Sequence, residues 1–532
     1  MSKKLMAVLT LATFVVTGFG IVAVAAEKPK YGGTLKAYHR GTPPSMSIHE
    51  EATVSTNYPA MPIMNNLVLF DYFNEVESLK SVKGELASSW KWSKDRKKLT
   101  FNLRKGVKWH DGKPFTSKDV KYTWELILGK TEQSLRKNPR KVWYKFLESV
   151  TTNGDYSVTF NLNRPQPSFL VLLASGYSPV YPAHVDPKDM RTNPIGTGPF
   201  KFVELKQNES IKLVKNKDYY RKGRPYMDGI DTTIIKNTAT RVLALAAGTF
   251  DLSFPWDVNV PLEREVRAQA PKIISKLRFS NVSTNLIVNF DSPPFNDPEI
   301  RQVLALSIDR QAFIDSLSEG KTIMGGAMLP PPAGVWGLSK KQLNKVIGYG
   351  SVEKNRDRAR AIMKKKGYSE SNPLKVIIST RNIAIYRDPA AILIAHLKQV
   401  FVEAELKTIE TSNWHATVAR KDYQVGLNLT GVGVDDPDAN FFENYSCGSQ
   451  RNYAGYCNPE LDKLFEKQSA ITNFKKRLAL VQEIDRKLQE DGARPLIFHN
   501  ASYTSWWPHV KNMVVHNNTY NSWRMDEVWL DR

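Results

Sequence analysis

Two hydrophobic periods alternate along this chain from end to end, and no block recurs at a fixed spacing. Lys98 to Leu103 and Ser157 to Leu162 switch between polar and apolar residues one by one, which places a half-buried strand at each. Another strand begins at Leu35, after the turn Tyr31-Gly32-Gly33. Helical spacing takes over at Ser117, capped by Thr116 or Ser117, and again after Asp297, where Pro298 sits in the first turn. Pro389 to Glu405 and Phe474 to Gln489 carry the same period, the second with a clear apolar stripe. Strands and helices interleaved in this way build α/β lobes on sheets. A chain of 532 residues exceeds what one hydrophobic core usually serves, so two or more domains are expected. Turn-forming clusters at 193–199, 291–295 and 328–334 are candidate loops between lobes.

The first residues set the destination. Lys3 and Lys4 precede an apolar run, Leu5 to Ala25, which closes on the small residues Ala23-Val24-Ala25-Ala26. This is the order of a secretory signal peptide, spanning 1–26. The run is also just long enough to anchor in a bilayer, but small residues rather than a basic cluster end it, which favours cleavage. No cysteine follows to carry a lipid. A soluble periplasmic protein starting near Ala26 or Glu27 is therefore expected. Later apolar runs, such as Leu67 to Phe70 and Ile392 to Leu397, are short and read as buried strand or helix pieces.

Two cysteines occur, Cys447 and Cys457, in a polar, aromatic loop. In an exported chain they are expected to pair as a disulfide. They do not suit a zinc site, since no histidine lies near them. Lys and Arg number 75 against 53 Asp and Glu, a formal charge of +22. That balance fits either an anionic ligand or a plainly solvated basic surface. Nucleic acid is not expected, because the basic residues are scattered and no recognition element accompanies them. The nine histidines form no metal-binding pattern, and no nucleophile elbow, Walker loop or dinucleotide fingerprint occurs. Neither a cofactor nor a metal is expected, and the chain does not read as an enzyme. Its 12 Trp, 21 Tyr and 23 Phe suit a concave, wet pocket as well as a core.

The run Glu85-Leu86-Ala87-Ser88-Ser89-Trp90-Lys91-Trp92, followed by Leu99 to Val120 with its Arg104-Lys105-Gly106-Val107-Lys108-Trp109-His110-Asp111-Gly112 core, resembles bacterial extracellular solute-binding protein family 5. Gly196-Thr197-Gly198-Pro199-Phe200, Ala246 to Asp251 and Pro294 through Arg310 continue the resemblance in order, across nearly the whole mature chain. It implies an α/β, two-lobed periplasmic binding protein with an extra subdomain inserted in lobe I. Lobe I would take 27–60, 196–280 and 500–532, the insert 61–195, and lobe II 281–499. It also implies a monomer that captures a peptide or similar small solute between closing lobes and delivers it to the permease subunits of an ABC importer. Opines, sugars or a nickel chelate are alternative ligands, and a periplasmic chaperone is a further alternative on the same scaffold.

Site residues carry over from the resemblance in part. Peptide binders of this type receive the ligand amine on an Asp late in a Trp-x-x-Asp stretch. Here Val432-Gly433-Val434-Asp435 occupies that stretch, with Val432 in place of the Trp and Trp414 as the upstream aromatic. Counted back from Phe441, the Asp position falls on Gly433, so Asp435 is open to two roles, amine partner or turn cap. On lobe I, Tyr38-His39-Arg40 follows the first strand where ligand is contacted. Arg40 is either a carboxylate clamp or a surface residue. Trp506 and its neighbour Trp507 either line the cleft or pack in the core.

Overall fold

A computed structural model describes residues 27–532. The signal peptide expected over 1–26 lies outside the described residues. Three sheets organise the chain. The first orders β1 (Thr34–His39), β10 (Gly229–Ile234), β9 (Ser210–Lys215) and β8 (Phe200–Lys206), with β1 parallel to β10 and the rest antiparallel. An antiparallel sheet orders β4 (Ala87–Trp92), β5 (Lys98–Leu103), β7 (Ser157–Leu162) and β6 (Leu147–Thr152). The third, mixed sheet orders β13 (Val402–Ile409), β12 (Leu374–Arg381), β14 (Val425–Gly431), β11 (Ile274–Val288) and β15 (Leu496–Trp506). Two short ladders, β2 (Val68–Phe70) with β3 (Val82–Gly84) and β16 (Val510–Lys511) with β17 (Trp529–Leu530), complete the set.

The period-two segments do what their pattern requires. Leu99, Phe101 and Leu103 of β5 and Val158, Phe160 and Leu162 of β7 all point to one buried face. Trp124 closes that face edge-on to Phe160, 5.0 Å between ring centres. Its helix, Ser117–Leu128, starts on a reciprocal cap in which Thr116 and Asp119 satisfy each other's backbone, and stops on left-handed Gly129. The helix expected over Pro389 to Glu405 is corrected: it runs Ala384–Lys398, and the chain becomes strand β13 from Val402. Val402, Ala404 and Leu406 alternate with polar partners, a period-two signal that the apolar stripe before it masks.

The first and third sheets are joined through β11 and β15 rather than through the turn clusters. Both strands are long, and they pair antiparallel from Ile274↔Trp506 onwards. Near one end β15 also bridges Leu252 and Val258, while the other end of β11 pairs with β14. A β-bulge breaks the register between Phe279↔Ala501 and Ser283↔His499. At 193–199 the glycines instead permit close packing: a Cβ on Gly196 would sit 1.9 Å from the Ile63 carbonyl oxygen.

Two buried polar features tie distant parts together. Arg524, 3% exposed, donates to both oxygens of Glu85, at 2.6 and 3.0 Å, to the Met61 and Met64 carbonyls and to Asn66. Cys447 and Cys457 are bonded, and Asn452 between them donates to the Tyr456 carbonyl at 2.6 Å. Closing so short a loop stabilises by about 2–3 kcal/mol through the unfolded chain. Replacing both cysteines with serine is expected to lower stability by that amount, read as a shift in the urea midpoint at unchanged slope.

Buried histidines give the fold an acid limit. His49 is buried, with Nε2 2.8 Å from the Pro179 carbonyl, and burial lowers its pKa to about 3. The unfolded chain would bind a proton here below about pH 6.5, while the folded chain does not until about pH 3. Stability from this group is therefore lost as pH falls through that window. His49→Gln is expected to lose less stability than the parent between about pH 7.5 and about pH 5, measured by urea denaturation of both proteins.

Candidate functional site

Where the first and third sheets face each other, two arginines meet across a small cavity. Arg40 follows the last residue of β1, and Arg381 is the last residue of β12. Both are buried and both line a space of about 30 Å³, with Thr53 and Trp256 on one side and Tyr386 and His415 on the other. Tyr520, from the C-terminal segment, closes it. That volume has room for a water but for no larger molecule.

Neither guanidinium has an acidic partner within ion-pair distance among the described residues. Arg40 stacks on the Phe254 ring, 4.9 Å from its centre, and its Nε has no hydrogen-bond partner. Burial lowers its pKa, and Arg381 and Arg241 act in the same direction, while Tyr386 and Asp257 oppose them. Arg381 donates to Tyr386 Oη at 2.7 Å and to Thr411 Oγ1 at 3.3 Å, and its Nη2 is unpartnered. His415 is held neutral, chiefly by burial and then by Arg381, Arg451, Lys137 and Arg140. Its Nε2 also lacks a partner. Arg451 donates to Glu443 Oε1 at 2.8 Å, and Arg140 lies 3.9 Å from the same oxygen. Two cations thus share one carboxylate. Arg494, also buried, reaches Thr430 Oγ1 at 2.7 Å and backbone carbonyls, with no acid in reach among the described residues. Buried charges are costly unless paired, and of these arginines Arg40 and Arg381 face the cavity without an acidic partner among the described residues.

The expected site residues distribute as follows. Arg40 lines the cavity. Tyr38 and His39 precede it on β1 but turn into the lobe core, Tyr38 against Phe250 and His39 with Nε2 3.1 Å from the Ser55 carbonyl. Trp414 is fully buried beneath β14, packed with Ile287 and Tyr423, its Nε1 donating to Asn428 at 3.2 Å. Trp506 is buried in the ladder opposite Ile274. Gly433 packs against Trp143, where a Cβ would sit 2.6 Å from the indole. Val432 and Asp435 do not line the arginine cavity. The ladder register puts Val282 and Leu429 on the cavity face and Asn281, Ser283, Thr430 and Val432 on the other, and Asp435 follows the latter. Asp436, not Asp435, caps the next helix, accepting from the Asp438 amide at 2.9 Å. Arg381, Tyr386, His415, Trp256 and Tyr520 were not legible as site residues. The one usable signal was Arg381 at the end of an alternating strand.

The two-lobed α/β scaffold is that of solute-binding proteins of the periplasmic type, and comparison with known proteins agrees. Residues 81–452 match the family model for bacterial extracellular solute-binding proteins, family 5 Middle, and the chain belongs to that family. It is a transport binding protein and not an enzyme. Among relatives, the oligopeptide-binding protein AppA of Bacillus subtilis is 26% identical, over 95% of this chain and 93% of its own. Heme-binding protein A of Haemophilus influenzae is 25% identical, over 86% of each. In three dimensions the Helicobacter pylori periplasmic binding protein DppA, in complex with the peptide STSA, superposes with a TM-score of 0.83 at 22% identity, over 94% of this chain and 99% of that one. AgaA of A. tumefacien R10, in complex with agropinic acid, gives 0.81 at 22% identity over the same shares. These likenesses show a shared fold.

Proposed function

We propose that this chain is the periplasmic capture component of an ABC importer, which holds a small acidic solute between its lobes and presents it to the permease. The observation that carries this reading is the pair Arg40 and Arg381, contributed by facing sheets and left without counter-ions. A carboxylate entering the closed cleft would accept from both forks, in surroundings where such bonds are stronger than in water. A peptide carboxyl terminus supplies that group, in keeping with the peptide-binding relatives. An opine-like acid supplies it too, and the lack of any carboxylate lining the same cavity favours a ligand whose charge is negative throughout.

The organisation proposed with this function keeps 27–60, 196–280 and 500–532 as lobe I, 61–195 as its insert and 281–499 as lobe II. Both boundaries then fall inside β11 and β15 at the bulge, which acts as the hinge. The exported chain loses residues 1–26 and works as a monomer. Native mass spectrometry of gently purified mature protein tests the reading. Release of a small carboxylic acid or peptide supports it. Release of a solute without a carboxylate, or stabilisation by neutral sugars alone, refutes it.

A further inference from the structure

A cavity of about 580 Å³ shares no residue with the arginine cavity. Its walls come from the β2–β3 ladder, from Arg104 just past β5, from the loop at 220–222 and from 521–527 near the C-terminus. None of these residues falls in 281–499, so in the organisation proposed above the cavity belongs to lobe I and its insert, and it exists whether or not the lobes close. Charge inside it is unevenly matched. Four carboxylates line it and each is held: Asp71 by Lys83 at 3.3 Å, Glu85 by Arg524, Asp526 and Glu527 by Arg221, and Glu527 also by Arg224 at 2.8 Å. Arg104 and Lys222 line the same space, and neither has a carboxylate within ion-pair distance among the described residues. Arg104 Nε donates to the Glu85 carbonyl at 2.6 Å, which leaves both terminal nitrogens of the fork without a partner among the described residues. The guanidinium lies over the Tyr220 ring, 5.7 Å from its centre. Burial, with Glu85 and Asp526 adding to it, raises the Tyr220 pKa, so its hydroxyl keeps its proton and remains a donor. Phe73, 57% exposed, and the half-buried Leu69 add apolar surface to the same cavity. The charge left unmatched here is positive, and it sits among aromatic and aliphatic walls.

We propose that this cavity is a second ligand site, which takes a small organic oxyanion carried on an aromatic ring. The oxyanion accepts from the Arg104 fork, the Lys222 ammonium and the Tyr220 hydroxyl, and the ring packs against Leu69 and Phe73. A carboxylate and a phosphate ester both offer the oxygens such a fork takes. An amine of the same shape is rejected, because the carboxylates are already paired and the free charges are cations. The site stands apart from the cleft, and its occupation does not depend on solute capture there.

Isothermal titration calorimetry of the mature protein with hydrocinnamate, phenyl phosphate, phenethyl alcohol and phenethylamine tests this, since the four share a ring and differ in head group and charge. At least one of the two anions is expected to bind at least about tenfold tighter than the alcohol, and the amine less tightly than the alcohol. Which anion binds tells a carboxylate site from a phosphate site. The cleft arginines can also take an acid, so the titrations are run on the parent and on Arg381→Met, where an anion site of unchanged affinity is expected to remain. In that background Arg104→Met is expected to weaken the anion by about tenfold or more, and Lys222→Gln by about two- to fivefold. Should Arg104→Met fail to fold, Lys222→Gln carries the comparison. Equal binding of anion and alcohol, undiminished binding by the folded variant that carries the comparison, or no anion binding at millimolar concentration overturns the proposal. Loss of all anion binding in Arg381→Met overturns it as well, and would assign the anion to the cleft, leaving the reading of Arg40 and Arg381 in place.

Discussion

Arg381→Met is expected to cost the protein its solute and yet leave the empty form more heat-stable than the parent. The two effects share one cause. Arg381 is 2% exposed, and its Nη2 has no partner. In the empty protein that buried charge is uncompensated, and replacement of unpaired buried ions by apolar groups of similar volume is commonly neutral or stabilising. The Arg381 bonds to Tyr386 and Thr411 are lost in the exchange, which tempers the gain. With solute bound, the same guanidinium becomes half of a desolvated ion pair, and truncating one partner of such a pair costs about 2–5 kcal/mol. Affinity should fall by between about thirty-fold and several thousand-fold. Differential scanning calorimetry of stripped protein, with and without the released solute, reads both effects. Full-strength solute binding by Arg381→Met would sink the clamp. A less stable empty variant would mean that the bonds to Tyr386 and Thr411 outweigh the uncompensated charge.

The largest loss of stability is expected from Arg524→Met. This guanidinium satisfies both oxygens of Glu85 and two carbonyls of the Met61–Met64 turn, all in the interior. Removing it leaves the buried Glu85 carboxylate without its counter-ion, held only by the Asn65 side chain and the Asn66 amide, and takes a donor from two carbonyls, an effect of about 3–5 kcal/mol. Urea denaturation should show it as a large drop in midpoint. Adding Glu85→Gln to Arg524→Met should recover part of the loss, because the stranded charge goes with it. If the double variant is no better than the single one, the loss arises from packing and not from the charge.

Much of the scaffold was legible because it depends on local rules. The period-two runs at 98–103 and 157–162, the Thr116 cap and the Asp297 start all obey short-range sterics and hydrogen bonding, which the sequence displays directly. The β13 strand was missed because a strong helical stripe ran straight into it across a three-residue turn. The site was less legible because long-range register makes it. Arg40 was found from its place after the first strand. Nothing local in Arg381, His415 or Tyr520 says that these three close on Arg40. Asp435 shows the limit most sharply: its chemistry suits a ligand amine, but which side of the β11–β14 ladder it follows is decided by pairing with a strand some 150 residues earlier. One-residue differences in that register reverse the answer.

In the proposed organisation lobe II enters on β11 and leaves on β15, and these strands are hydrogen-bonded neighbours where they cross. The two ends of everything between them therefore lie about 5 Å apart, one strand spacing. A block attached by two adjacent seams can be lifted out and another put in without redirecting the rest of the chain. Phe279 and Ala501 face each other just outside the bulge, so a tight turn between them would close lobe I on itself. Exchange of lobe II between relatives at these seams would replace Arg381 and His415 while keeping Arg40. New specificities can arise in this way by recombination of whole halves as well as by point substitution.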